Sequence, residues 1–492
     1  MKPSAKTTDR LLCLASAALL ILAFPRTDLS VLAWAGLVPL MFALDGKKPW
    51  AAFRCAYLCG FLFFAGTLYW FFNITRWFSA IAALGIVLLF LYLALYFGAF
   101  ALFYSLFSRR KPLARLFLLP SAWVVLEFIR ATLFTGFDWA SLGHSQYKNL
   151  TFIQIADLTG VFGVSFLVVM INVLLKEFVS AYFVRRTREV REALLASVLA
   201  AAVAVTAVFA YGTAHLLSIP DSDEVRPRLT VAVVQPNILQ EMKWQESAKA
   251  LIVEKHIALS RQAAEHDPDL IIWPETSYPD YLWEEHRLFM QVLALVRQIK
   301  IPVLLGSVIK EEGSYYNAAV LLSKDAQIVD IYRKGHLVPF GEFIPLRRFI
   351  PFLSEVLDIG DFTRGKERTV FPFSAGGKKG GSFSVLVCFE DTVARVARGF
   401  VRGGAQLLVN ITNDAWFGNT KAPFMHLQSA VFRTIENRRG LVRAANTGVS
   451  CFIDQWGRIV NCVEGRSTGK EEKTYIGGYA IEEVAFSEGE TF

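Results

Sequence analysis

The sequence predicts a chain of two unlike parts, a multi-helix transmembrane bundle followed by one α/β domain. Three observations predict it. The 492 residues are 54% hydrophobic, with 41 Phe and only 19% charged residues, whereas soluble domains run at about 45–50% apolar. The apolar excess is confined to residues 1–218. In residues 219–492, short apolar runs bounded by turn residues alternate with amphipathic stretches, the pattern of strands interleaved with helices. This composition excludes disordered, collagen-like and coiled-coil chains. Six cysteines are too few for a disulfide scaffold.

Seven runs, at about 11–25, 29–45, 51–73, 78–107, 114–135, 160–183 and 192–217, are long enough or nearly so to cross a membrane as helices. The first is short and follows Lys2, Lys6 and Arg10. No small-residue cleavage site follows it cleanly, so it reads as an uncleaved helix rather than a signal peptide. Basic residues alternate between the connections. The N-terminus and loops two, four and six hold 14 Lys and Arg, and the other loops hold Arg26, Arg76, Arg130 and Lys148. That predicts an N-terminus inside the cell and a second domain outside the cytoplasm. It also accounts for the net charge of +8 without nucleic acid. Glu127 and Arg130, three apart in the fifth run, are expected to form a structural pair, the alternative being contact with lipid headgroups. Asp138 and His144 lack a third ligand nearby and no Cys/His cluster has zinc spacing, so neither metal nor cofactor is expected.

After the linker Ile219–Glu224, strands are predicted at Leu229–Val234, Leu270–Trp273, Pro302–Val308, Ala318–Leu322, Ile328–Tyr332, Phe383–Val387 and Gln406–Asn410. Helices are predicted at Glu246–His266 and Glu284–Ile299. Three of these strands end on a reactive side chain: Glu275, Lys334 and Cys388. Sites in open α/β sheets form at the carboxyl ends of strands. Taken singly, the three read as readily as a turn carboxylate, a surface lysine and a small buried thiol. Together they form a coherent set. The carboxylate takes the thiol proton, and the ammonium stabilises the charge that develops when sulfur attacks an acyl carbon.

Longer motifs surround each of them. They are Ile272-Trp273-Pro274-Glu275-Thr276, Lys334 with Pro339-Phe340-Gly341-Glu342, whose Glu follows the Lys after seven intervening residues, Val387-Cys388-Phe389-Glu390-Asp391, and Asn413-Asp414-Ala415-Trp416-Phe417-Gly418. These resemble the nitrilase superfamily, and more narrowly its membrane-anchored branch, the apolipoprotein N-acyltransferase family. The stretch Thr135–Gln146 resembles a loop of that family. The resemblance implies a nitrilase-like αββα sandwich outside the cytoplasm. It implies Glu275 as general base, Lys334 as oxyanion stabiliser with the backbone N–H after the nucleophile, and Cys388 as nucleophile. Glu342 would orient the lysine, and Glu390 and Phe389 would support the nucleophile. Trp244, Asn413 and Trp416 would line the substrate groove. Phe389 stands where some members carry Tyr, so a hydroxyl there is not required. Family members usually end in an eighth membrane helix, and no apolar run follows Tyr479. The expectation is an anchor at one end only or a truncation.

The implied activity takes an acyl chain from a membrane phospholipid, through a cysteine thioester, to the N-terminal amine of diacylglyceryl-cysteine lipoproteins at the inner membrane. The alternative is a tethered amidohydrolase with water as acceptor. A transporter would need several charged or broken spans, and little beyond Glu127 and Arg130 fits. Two subsidiary expectations follow. Pro339–Phe362, rich in aromatics and Pro, reads as a flap over the site. Cys451 and Cys462 fall opposite each other if Trp456-Gly457 turns a hairpin, and they read as free thiols although an oxidising compartment would permit a bridge.

Overall fold

A computed structural model describes residues 5–77, 81–183, 188–218, 227–243, 245–282, 284, 286–345, 361–374, 380–467 and 470–487. The chain divides into two compact units, Met1–Ile219 and Pro220–Phe492.

The first unit contains α1 (Ala5–Leu22), α2 (Val38–Leu44), α3 (Pro49–Thr67), α4 (Ile81–Phe107), α5 (Pro112–Thr132), α6 (Val161–Phe183) and α7 (Arg188–Leu217). Among the described residues, five helices, α3 to α7, are long and apolar enough to cross a membrane. The first two predicted runs differ from this pattern. Lys6, Asp9 and Arg10 occupy the start of α1 and shorten its apolar stretch. The second run is broken into a 3-10 turn, Ser30–Trp34, and the short α2. Pro39 lies in the first turn of α2, where its missing N–H and fixed φ are tolerated. Packing of α3 on α4 uses small residues. A Cβ on Gly60 would stand 2.7 Å from Phe97, and one on Gly98 would stand 2.5 Å from Phe53. Each helix gives up a side chain where the other inserts a ring.

Glu127 and Arg130 both hydrogen-bond to the loop that follows α5. Glu127 accepts from Trp123 Nε1 at 2.9 Å and from the Leu142 N–H at 2.8 Å. Arg130 donates to the Trp139 carbonyl at 2.6 Å and to Ser141 Oγ at 2.8 Å. The two charges thus fasten residues 139–142 to α5.

The second unit has strands β1 (Arg228–Gln235), β2 (Leu270–Ile272), β3 (Val303–Glu311), β4 (Ser314–Leu322), β5 (Ile328–Arg333), β6 (Phe371–Phe373) and β7 (Gly381–Val387). Then come β8 (Leu407–Thr412), β9 (Leu441–Ala445), β10 (Cys451–Ile453), β11 (Ile459–Cys462), β12 (Gly465–Ser467), β13 (Lys470–Glu472) and β14 (Gly478–Ala485). Its helices are α8 (Lys249–Ala264), α9 (His286–Ile299), α10 (Ala394–Arg402) and α11 (Ala422–Asn437). One six-stranded sheet runs β14-β1-β2-β3-β4-β5 and the other β11-β10-β9-β8-β7-β6. Helices α8 and α9 pack on the first sheet and α10 and α11 on the second, giving an αββα sandwich.

Strands β6, β9 and β14 and helices α10 and α11 have no counterpart in the sequence expectation. β14 pairs along the whole of β1 as an edge strand, so Glu482 and Glu483 hide its alternation. α11 is buried at every position but Phe424 although it carries His426, Arg433 and Glu436, so its hydropathy does not announce an interior helix. In the β10–β11 hairpin Cys451 lies opposite Cys462, as the predicted register requires, and both thiols are free. The turn is longer than two residues. It closes through the Asp454 N–H to the Arg458 carbonyl at 2.9 Å, and a register shift follows Phe452.

Candidate active site

Glu275 follows β2 after Trp273-Pro274, Lys334 follows β5 directly and Cys388 follows β7 directly. The first two belong to one sheet and the third to the other, so the three meet between the layers. Local sequence makes each placement possible. Trp273 is wholly buried and its Nε1 donates to Ser260 Oγ of α8 at 2.8 Å, anchoring the segment before Glu275. A Cβ on Gly306 would stand 2.7 Å from Glu275 Cα, so only glycine in β3 lets the two backbones approach. Cys388 has φ +54°, a left-handed conformation that turns the chain sharply off β7 and that surrounding contacts must hold.

The carboxylate of Glu275 accepts from Asn317 Nδ2 at 2.8 Å and from the Asn413 N–H at 2.9 Å. Lys334 is 1% exposed and its Nζ contacts both oxygens of Glu342, at 2.9 and 2.8 Å. Glu342 also accepts from the Val338 N–H at 2.8 Å and from Asn317 at 2.9 Å. Asn317 therefore bridges the two carboxylates and keeps their spacing. Burial works against the charge on Lys334, but Glu342, Cys388, Glu275 and Glu390 hold its pKa above the ordinary value. Burial and Glu275 push the Cys388 thiol well above its usual range, and Lys334 and a Thr412 hydrogen bond pull it back. The Cys388 thiol thus lies in the field of the buried Lys334 ammonium, with burial favouring its protonated form.

Glu390 staples the segments together. One oxygen accepts from the Tyr332 hydroxyl (2.8 Å), the Gly335 N–H (2.9 Å) and the His336 N–H (2.8 Å). The other accepts from the Val387 N–H at 2.8 Å. This single carboxyl fixes the chain on both sides of Lys334 relative to the chain before Cys388. Its burial raises its pKa to about 7. Phe389 is half-buried and stacks on His336 at 6.0 Å.

Of the expected groove residues, Trp416 is half-buried. Asn413 is 3% exposed. It donates from its side chain to Gln240 at 2.9 Å and accepts from Asn446 at 2.9 Å. It is therefore part of the frame around Glu275 rather than a side chain presented to a groove. Trp244 lies outside the described residues, as do 346–360 of the expected flap. Sequence reasoning missed two residues. Asn317 is a buried amide inside the otherwise apolar second half of β4, an anomaly that could have pointed to it. Lys243 is buried, and its Nζ donates to the carbonyls of Glu275 at 2.9 Å and Thr276 at 3.0 Å. Burial lowers its pKa to about 8, opposed by Glu275 and Cys388. Among the described residues no group of three or more His, Cys, Asp or Glu is arranged to hold a metal ion.

Two family models match the chain. The carbon–nitrogen hydrolase model matches residues 230–483 and the apolipoprotein N-acyltransferase N-terminal domain model matches residues 16–174. An apolipoprotein N-acyltransferase of Geobacter metallireducens is 38% identical over 98% of this chain and 91% of its own. The chain belongs to the apolipoprotein N-acyltransferase family. A second member, from Allorhizobium ampelinum, is 30% identical over 94% of this chain and 89% of its own. Solved structures similar to part of this chain include a carbon–nitrogen hydrolase from Helicobacter pylori G27, with TM-score 0.39, 16% identity, and coverage of 53% of this chain and 90% of that one. An amidase from Nesterenkonia sp. gives TM-score 0.38 and 16% identity over 54% and 93%. Membership of the N-acyltransferase family accounts for the membrane helices, which a carbon–nitrogen hydrolase domain alone would not require.

Proposed function

We propose that this chain transfers an acyl group from a membrane phospholipid, through a thioester on Cys388, to the N-terminal amine of a diacylglyceryl-cysteine lipoprotein. The observation that carries the proposal is the convergence of Glu275, Lys334 and Cys388 from two sheets, with Glu342 and Asn317 fixing their spacing. Because the thiol starts protonated, Glu275 takes its proton as sulfur attacks the ester carbon. Lys334 and the Phe389 N–H receive the negative charge on the ester oxygen. Collapse of that intermediate releases a lysophospholipid, to which Glu275 returns the proton. The amine then attacks the thioester, Glu275 accepts its proton, and sulfur leaves as the thiol. Lys334 stays positively charged throughout, since Glu342 neutralises it without removing its proton.

Both substrates are lipid-anchored, which is why the fold carries a membrane domain. The Lys and Arg alternation supports a catalytic domain outside the cytoplasm. Seven crossings or the five longest helices alone are both odd numbers, so the orientation is the same either way.

Intact mass spectrometry of the detergent-purified chain after incubation with phospholipid tests the proposal. A hydroxylamine-labile adduct of one acyl chain, present in the wild type and absent in Cys388→Ala, supports it. Transfer to a diacylated lipopeptide should then discharge the adduct without loss to water. Rapid discharge by water alone would instead favour the hydrolase reading. No adduct on a folded chain would sink the phospholipid donor.

A further inference from the structure

Behind the nucleophile lies a closed ring of four ionised side chains, none of which the proposed chemistry uses. His426 and Arg443 alternate with Asp391 and Asp414, and all four are at most 2% exposed. His426 Nδ1 lies 2.9 Å from Asp414 Oδ1, and Nε2 lies 2.6 Å from Asp391 Oδ1. Arg443 reaches Asp391 at 2.8 Å and Asp414 at 3.1 Å. Two cations balance two carboxylates. Gly448 is required for this closeness, because a Cβ there would stand 2.1 Å from Asp414 Oδ2.

The ring ends on the backbone of the nucleophile. His426 Nε2 is 3.2 Å from the Cys388 carbonyl oxygen, and Asn410 Nδ2 donates to the same oxygen at 3.2 Å and to the Leu386 carbonyl at 3.0 Å. Arg443 decides which way the Asn410 amide faces, since its Nη1 donates to Asn410 Oδ1 at 2.5 Å. Asp414 at Nδ1 and Asp391 beside Nε2 favour the doubly protonated ring, whose one Nε2–H lies within reach of both Asp391 Oδ1 and the Cys388 carbonyl. Burial and Arg443 oppose that charge, and the two aspartates hold its pKa at about 9.

The Cys388 carbonyl and the Phe389 N–H are two ends of one planar trans peptide. Gripping the oxygen from behind fixes the direction of the N–H in front. A charged donor on the oxygen also polarises the amide and strengthens its N–H as a donor. We propose that His426 and Asn410 are positioning residues that aim the Phe389 N–H at the oxyanion, with Asp391, Asp414 and Arg443 holding them in place. This rests on the reading of Cys388 as the nucleophile and of the Phe389 N–H as an oxyanion donor.

The test compares two reactions of the same sulfur in the full-length chain in detergent. Acylation of Cys388 by phospholipid, followed by intact mass in a single turnover, passes through an oxyanion. Alkylation by iodoacetamide does not: sulfur attacks a saturated carbon, iodide leaves and the thiol proton goes to solvent through Glu275. Losing an oxyanion donor costs on the order of 100-fold. His426→Phe and Asn410→Ala are therefore expected to slow acylation by about 30- to 100-fold, with the half-saturating phospholipid concentration unchanged. His426→Gln restores a donor to the carbonyl and should recover most of the rate. Alkylation should stay within about twofold of wild type in all three. Asn410→Ala leaves the four charges in place and reads the same contact should His426→Phe fail to fold. Acylation at the wild-type rate in the folded variants would overturn the inference. So would a parallel fall in acylation and alkylation, which would mark a general structural role. A wild-type chain that alkylates at Cys388 but never acylates there would instead overturn the proposed function, and this inference with it.

Discussion

The two units bury opposite kinds of residue. In α7 of the membrane unit only 11% of the most apolar window is buried within the protein, and Leu195, Leu199 and Val203 face outward. In α11 of the catalytic unit every side chain but that of Phe424 is buried, His426, Arg433 and Glu436 included. Where the surroundings are hydrocarbon, apolar side chains gain nothing by turning inward, and the interior is left to small residues and hydrogen-bonded charges. Where the surroundings are water, apolar residues fill the core, and a buried charge survives only with its counter-charges beside it. Hydropathy therefore finds the membrane helices easily and overlooks the helix that carries His426.

This contrast can be broken or sharpened, starting from the largest effect. Arg443→Met leaves Asp391 and Asp414 buried with one counter-charge between them, and should cost ~3–5 kcal/mol. Denaturant unfolding of the detergent-solubilised chain would measure it; a loss under about 1 kcal/mol would show that the ring is not ionised in the folded state. The next effect is pH-dependent. The folded pKa of His426 is raised to about 9, above an unfolded value of about 6.5. Its contribution is fully present below about pH 6.5 and is lost as pH rises through about 9, a difference of ~3 kcal/mol. Lys243 acts with the opposite sign, because burial depresses its pKa to about 8 and its cost is relieved above that pH. Subtracting the stability profile of His426→Gln from that of the wild type isolates the histidine, and a flat difference from pH 6 to 10 would contradict the assignment.

In the membrane unit the sensitive positions are glycines. Gly98→Ala drives a methyl into the Phe53 ring and should cost ~1–3 kcal/mol through overpacking, read as a lower melting temperature in detergent. The smallest effect is expected on α7. Leu199, 58% exposed, faces outward, and Leu199→Ala should change stability by less than about 0.5 kcal/mol. A fall as large as that of Gly98→Ala would mean that this face of α7 has a protein partner.

Much was legible in the sequence because some signals are local. Long apolar runs, alternating basic loops and the break from one kind of periodicity to another follow from solvent and chain geometry alone, and these set out the two-part architecture. The strand-end positions of Glu275, Lys334 and Cys388 were also legible, since each ends an apolar run. Other features needed the tertiary structure because their cause lies far along the chain. Asn317 shares a site with Glu275 and Glu342 only after β4 has paired into the first sheet. Asn413 became scaffold rather than groove because Gln240 and Asn446 fold against it. Strand β14 exists because β1 offers an edge that tolerates its glutamates. By itself the sequence determined which residues prefer lipid, which form strands and which carry reactive groups, because those preferences belong to side chains and their near neighbours. Only the tertiary structure decided which charges face each other, and so which could be buried at all, because the counter-charge that permits each burial comes from a distant strand or helix.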